Sequence, residues 1–259
     1  MRVRGVAAVA AVLLLTACSS APPQPPGTAD PAVATAVTAS PSPLDAEPLG
    51  VYEPAEPAAH VPCLDEGFEH LAIADEPRAS ALVAGEGDVG IVLGHQSDSF
   101  LCQWAPEALR LAERGYAVIV PNLQIDDALG AMLAAEHHLR AAGADEVVIA
   151  GASLGGRLAI AAAAVVDEQP AGVIALAAPA GCLRWDARDF APHVTAPVLL
   201  EVGSRDADLP ERATEIAAML PAPPQLLEVD ADVHGVPQLE HAAAREAFDA
   251  ILERAAGTG

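Results

Sequence analysis

The chain contains no lysine: all 13 of its basic residues are arginine, set against 36 aspartates and glutamates. A lysine Schiff base is therefore excluded as a catalytic device. The net charge of −23 argues against nucleic acid and against docking on anionic lipid heads, both of which call for clustered positive charge. The four cysteines, at positions 18, 63, 102 and 182, include no pair with metal-ligand spacing. A glycine-rich dinucleotide fingerprint is also missing. No cofactor is therefore expected. Long apolar runs are scarce too. Residues 6–15 form one, but a run of about ten residues falls well short of the roughly 20 that a spanning helix needs.

What is present begins with that run. Arg2 and Arg4 precede it, and Leu15-Thr16-Ala17-Cys18 closes it. A basic start, an apolar segment and small residues read as a secretory signal over residues 1–17. Cys18 directly after the small residues resembles a bacterial lipobox. The resemblance implies cleavage before Cys18, lipid on its sulfur and a place on the outer face of the bacterial cell membrane. Several acyl chains on one cysteine hold a protein firmly there. The alternative is an ordinary secretory signal with an incidental cysteine. Loss of residues 1–17 removes two arginines and no acid, taking the net charge from −23 to −25.

Residues 19–62 hold eleven of the 23 prolines, with Ala, Ser and Thr between them. Proline removes backbone donors and biases its neighbours to extended states. Such a stretch buries too little apolar surface to offset its ordering entropy. Residues 18–62 are thus expected to be a lipid-anchored tether, about 100 Å long at full stretch. Residues 63–259 suit one domain with a sizeable core. Export permits a disulfide. Cys63, Cys102 and Cys182 allow one bridge in three ways, of which Cys63–Cys102 is favoured.

Within that domain, short apolar runs alternate with amphipathic stretches. Strands are expected at 68–74, 79–85, 89–93, 117–120, 146–150, 172–177, 197–202 and 225–229, with Glu76-Pro77 as the turn between the first two. Helices are expected at 104–114, 126–142, 158–164, 211–220 and 238–256, with Asp126 as the cap of the second. This pattern specifies a mostly parallel sheet with helices on both faces, hence an α/β fold class. Right-handed crossovers put the C-terminal strand ends on one rim, where such sheets carry their sites.

One strand leads into Gly151-Ala152-Ser153-Leu154-Gly155, the G-x-S-x-G pattern of a nucleophile elbow. The turn presents Ser153 at the positive end of a helix, where a developing anion is stabilised. Serine needs a base, and the base needs an orienting acid. Asp206 follows the strand at 197–202, and His234 follows the strand at 225–229, in the required order of acid and then histidine.

With these residues in place, residues 68–256 resemble the α/β-hydrolase family. Gly151-Ala152-Ser153-Leu154-Gly155-Gly156 matches the elbow, Gly203-Ser204-Arg205-Asp206 resembles the acid segment, and His234-Gly235 looks like the histidine end. Leu93-Gly94-His95-Gln96-Ser97 resembles the first oxyanion loop, although the family usually reads His-Gly there. The resemblance implies an oxyanion hole built from the backbone N–H of Leu154 and that of Gln96 or Ser97. His95 is read as shaping this loop rather than acting as a base. His137 and His138 are read as a solvated helix face, Arg157 as a surface or salt-bridged residue, and Trp104 and Trp185 as packing residues.

The family often inserts a lid where only residues 179–196 connect two strands here. No sizeable lid is therefore expected, and the partner is a small or accessible ester. The expected activity is serine hydrolysis of carboxylic esters through an acyl-enzyme on Ser153. The same triad also serves acyltransferases, thioesterases and peptidases, and a catalytically inactive binding lipoprotein is the reading from another class. Oligomeric state is left open.

Overall fold

The computed structural model describes residues 42–57, 60–64, 67–181 and 184–257. The expected signal at 1–17, Cys18, most of the tether and Cys182 lie outside the described residues. Nine strands form one sheet: β1 (Tyr52–Pro54), β2 (Glu69–Ile73), β3 (Glu76–Ala84), β4 (Val89–Gly94), β5 (Ala117–Pro121), β6 (Glu146–Ala152), β7 (Gly172–Leu176), β8 (Val198–Gly203) and β9 (Gln225–Val229). Their order is β1-β2-β3-β5-β4-β6-β7-β8-β9. The first three pair antiparallel, as does β3 with β5, and every pairing from β5 through β9 is parallel. The chain leaves β4 towards β5 on one side and returns to β6 on the other. The carboxyl ends of β4 and β6 thus form the topological switch point, where open α/β sheets bind ligands.

Helices α1 (Ala105–Glu113), α2 (Ala128–Ala141), α3 (Leu154–Val165), α4 (Ala187–Phe190), α5 (Leu209–Met219) and α6 (Ala242–Ala255) complete the fold. All six residues of β4 are buried, because helices cover the sheet on both faces. One face packs Val92, Ile149 and Leu200 against Met132 of α2, Ile160 of α3 and Ile216 of α5. The other packs Ile91, Val148 and Leu199 against Leu111 of α1 and Phe248 of α6. The alternation of side chains along each strand makes this division. Helices α1 and α6 are further joined by charge. Glu107, only 6% exposed, accepts from Arg110 and from Arg245, each at 2.6 Å, and Arg110 also reaches Asp249 at 2.6 Å.

Four local expectations need correction. The domain starts before residue 63: Leu44, Ala46 and Leu49 pack on the core, and Tyr52, 3% exposed, opens β1. Pro54 is tolerated because β1 is an edge strand, where a missing N–H breaks no ladder. Glu76 and Pro77 belong to β3, after a bulge at Ala72/Ile73. The cap of α2 is Asp127, which accepts from Gly130 N–H at 3.1 Å. The last helix starts at Ala242, because Val236–Glu240 forms a 3-10 turn first.

Cys63 is bonded to Cys102, with Cα atoms 5.6 Å apart. The bridge ties the segment before β2 to the turn before α1. Replacing both cysteines with alanine is expected to lower unfolding free energy by about 4 kcal/mol, the chain-entropy value for a loop of this size, read from chemical denaturation.

Glu201 lies in β8 with 0% exposure. Neither carboxyl oxygen has a hydrogen-bond partner among the described residues. Burial pushes its pKa up to about 7, opposed by the field of Arg245. Between pH 4.5 and 7 the folded state holds a proton that the unfolded state has released. The contribution of Glu201 is therefore most favourable below pH 4.5 and is lost as pH rises through about 7. Glu201→Gln is expected to match the wild type near pH 5 and to be more stable by about 3 kcal/mol at pH 8. Denaturation curves at the two pH values check this.

Candidate active site

Four loops meet at the carboxyl ends of β4, β6, β8 and β9. Ser153 occupies the turn between β6 and α3 with φ 53° and ψ −113°. A side-chain-bearing residue in this region carries about 1–3 kcal/mol of strain and persists only where its surroundings over-determine it. Here Ser153 N–H donates to Leu176 O at 2.8 Å, and Gly155 N–H donates to His95 O at 3.2 Å. The elbow backbone is thereby pressed against the β4 loop. A Cβ on Gly155 would lie 2.0 Å from Gly94 O, so only glycine permits the approach.

Asp206 and His234 come together from different strands. His234 Nδ1 lies 2.7 Å from Asp206 Oδ2. Main-chain bonds align the two loops: Ser204 N–H donates to Val229 O at 2.8 Å, and Arg205 N–H donates to Ala231 O at 3.2 Å. The Asp206 side chain is 15% exposed and that of His234 is 39% exposed. The acid is thus sheltered while the imidazole reaches the solvent side. A carboxylate at Nδ1 fixes the proton there and leaves Nε2 as the acceptor.

The β4 loop is organised by His95, which is fully buried. Its Nδ1 donates to Gln96 O at 2.7 Å, and its Nε2 accepts Leu123 N–H at 2.8 Å. One ring nitrogen donates and the other accepts, so the imidazole is neutral. Burial also lowers its pKa. Trp104 Nε1–H donates to Gly94 O at 2.9 Å and its indole stacks on Phe248. Gln96 N–H donates to Gln103 Oε1 at 3.0 Å. That N–H is committed, which corrects the expectation that Gln96 is an equal candidate for the oxyanion. The Gln96–Ser97 peptide is trans. With its C=O turned to the His95 ring, the Ser97 N–H points the opposite way.

Arg157, one turn into α3, is 8% exposed rather than a surface residue. Burial lowers its pKa and the field of Asp186 opposes this. His138 is half-buried and packs edge-on against Tyr52, so only His137 lies on a solvated face. Trp185 has φ 54° and lies beneath the Arg184 guanidinium, 4.4 Å from the ring centroid. Nothing in the linear pattern pointed to Gln103: its partner is seven residues away in a loop with no period. No cluster of three metal-ligating side chains occurs among the described residues.

No protein-family model and no curated protein matches the chain. Solved structures do. One of two metagenome-derived lipolytic enzymes, LipS and LipT, is 17% identical, with a TM-score of 0.59 over 68% of this chain and 98% of that one. The enol-lactonase from Burkholderia xenovorans LB400 is 18% identical, with a TM-score of 0.56 over 71% and 96%. A thermophilic esterase from Thermogutta terrifontis is 20% identical, with a TM-score of 0.54 over 71% and 94%. The fold is that of the α/β hydrolases.

Gly155→Ala is expected to cost roughly 3 kcal/mol of stability, because the methyl group meets backbone and not a yielding side chain. Urea denaturation beside the wild type measures this.

Proposed function

We propose that the protein is a serine hydrolase of carboxylic esters, with Ser153 as nucleophile, His234 as base and Asp206 as the orienting acid. The Asp206–His234 bond of 2.7 Å carries this reading, together with the strained Ser153 at the start of α3 on the same sheet rim. His234 Nε2 takes the Ser153 hydroxyl proton as Oγ adds to the ester carbonyl. The carbonyl oxygen becomes an oxyanion, held by the Leu154 N–H and the Ser97 N–H. Collapse expels the alcohol, which takes the proton from His234, and leaves an acyl group on Ser153. Water then adds by the same route, with His234 again as base, and releases the acid.

The names of the similar structures, lipolytic enzyme, lactonase and esterase, support an ester rather than an amide as substrate. Among its described residues the connection from 179 to 196 holds the short helix α4 and a 3-10 turn, Ala191–His193, and its 18 residues are few for a sizeable lid. A small ester, or one projecting from a larger molecule, suits such a site. The reading includes export and anchorage through Cys18, which would place the enzyme on the outer face of the membrane. Among the described residues no helix is long and apolar enough to cross a membrane.

A fluorophosphonate probe and a short p-nitrophenyl ester test the chemistry. Wild type is expected to label and to turn over. Ser153→Ala should do neither, and Asp206→Asn should lose about 10⁴-fold in kcat while staying folded. A folded wild type that fails to label would leave the binding-lipoprotein reading in its place.

A further inference from the structure

The loop that replaces the family's His-Gly carries a glutamine, and its amide joins two catalytic loops. Gln103 Oε1 accepts Gln96 N–H at 3.0 Å, while Gln103 Nε2 donates to Gln96 Oε1 at 2.6 Å. The same Gln96 Oε1 accepts Val236 N–H at 3.2 Å. The directions are mutually consistent. A backbone N–H requires the oxygen of Gln103, which turns its NH₂ to Gln96. A second backbone N–H requires the oxygen of Gln96 at that point. Gln96 is 7% exposed, so water competes weakly for these bonds.

Val236 stands two residues after His234, and Gln96 immediately precedes Ser97. One amide pair therefore fixes the spacing between the oxyanion loop and the histidine loop. Gly235 fits this arrangement: it has φ +67°, and a Cβ there would fall 2.2 Å from Gln96 Oε1. Any side chain at 235 displaces the linking amide. Gln103 is held in turn by its neighbour Cys102, bonded to Cys63, and by Trp104 bound to Gly94 O.

We infer that Gln103 is a positioning residue, which acts through Gln96 to set the Ser97 N–H and His234 at a fixed separation. This rests on the triad reading above. Gln103 touches neither substrate nor the reacting atoms in that reading. Its effect belongs to the transition state, where the oxyanion and the imidazolium exist together, so kcat rather than KM should carry it.

Gln103→Ala and Gln103→Glu, each with the Cys63–Cys102 bridge intact, test the role on a p-nitrophenyl ester. The alanine variant is expected to lose on the order of 10²-fold in kcat, as a misplacement of about 1 Å does, with KM within about twofold of wild type. The glutamate variant keeps the oxygen that accepts Gln96 N–H. Ionised, it has no hydrogen to give Gln96 Oε1, and two acceptors oppose each other. Protonated, its O–H restores the bond. The ratio of its kcat to that of wild type should therefore rise on acidification through the carboxylate range.

The charged groups around this pair are Asp98 on the loop and Glu107, Arg110, Glu240 and Arg245 around the adjoining cavity of about 450 Å³. Their own effect on kcat is common to wild type and variant, and their fields set the pH at which the introduced carboxylate titrates. Should the alanine variant unfold, the near-isosteric glutamate variant decides alone. An unchanged kcat, a loss carried by KM alone, or a ratio flat with pH overturns the positioning role. Any of these alongside an active, labelled wild type leaves the triad standing. A wild type that neither labels nor turns over overturns both.

Discussion

The contact between the turn after β6 and the loop after β4 governs this site. Gly155 N–H donates to His95 O, and the Gly155 Cα faces Gly94 with no room for a side chain. Everything on the rim is referred to that contact. It holds Ser153 in a backbone conformation that an isolated chain would leave. It sets the start of α3 directly beside the β4 loop. The sheet makes it possible, because β4 and β6 are hydrogen-bonded neighbours through Gly94 and Gly151, although 51 residues of chain lie between them.

Two histidines on this rim are separated by environment alone. His95 is fully buried, donates with one nitrogen and accepts with the other, and has no free position for a proton. His234 faces a carboxylate with one nitrogen, and its side chain is 39% exposed. The first is a fixed strut of the loop. The second, its ring oriented by Asp206, is the base of the proposed reaction. Glu201 makes a similar contrast with Asp206 on one strand and its following loop. The former is sealed in the core with no hydrogen-bond partner among the described residues, and the latter is matched to an imidazole.

Much of the sheet was legible because its parallel strands are buried on both faces and read as unbroken apolar runs, as in Val89–Gly94 and Gly172–Leu176. The edge was less so. Tyr52–Pro54 pairs with β2 from inside a proline-rich stretch, and composition over that window masked a buried tyrosine. Asp127 rather than Asp126 caps α2, since adjacent acids look alike until the helix start is known. At the site, the position of Ser153, Asp206 and His234 on one rim was legible because each follows a strand whose apolar run can be read. Gln103 was not. A glutamine in a turn has no periodicity to betray it, and its meaning lies in its two hydrogen bonds to Gln96 and in the bond that Gln96 Oε1 accepts from Val236 N–H.

The sequence by itself determined which residues end strands, and so which side chains gather on one rim: the glycines that permit the elbow, the acid, the histidine and the absence of a long insertion before β8. Strand periodicity and turn chemistry are local, and local patterns suffice for that. Only the tertiary structure decided which donors and acceptors are already engaged. It committed the Gln96 N–H to Gln103, made His95 a neutral strut, buried Arg157 and drew residues from 42 onward into the domain. Hydrogen bonds between distant loops depend on where the packed sheet puts them, and no period along the chain encodes that placement.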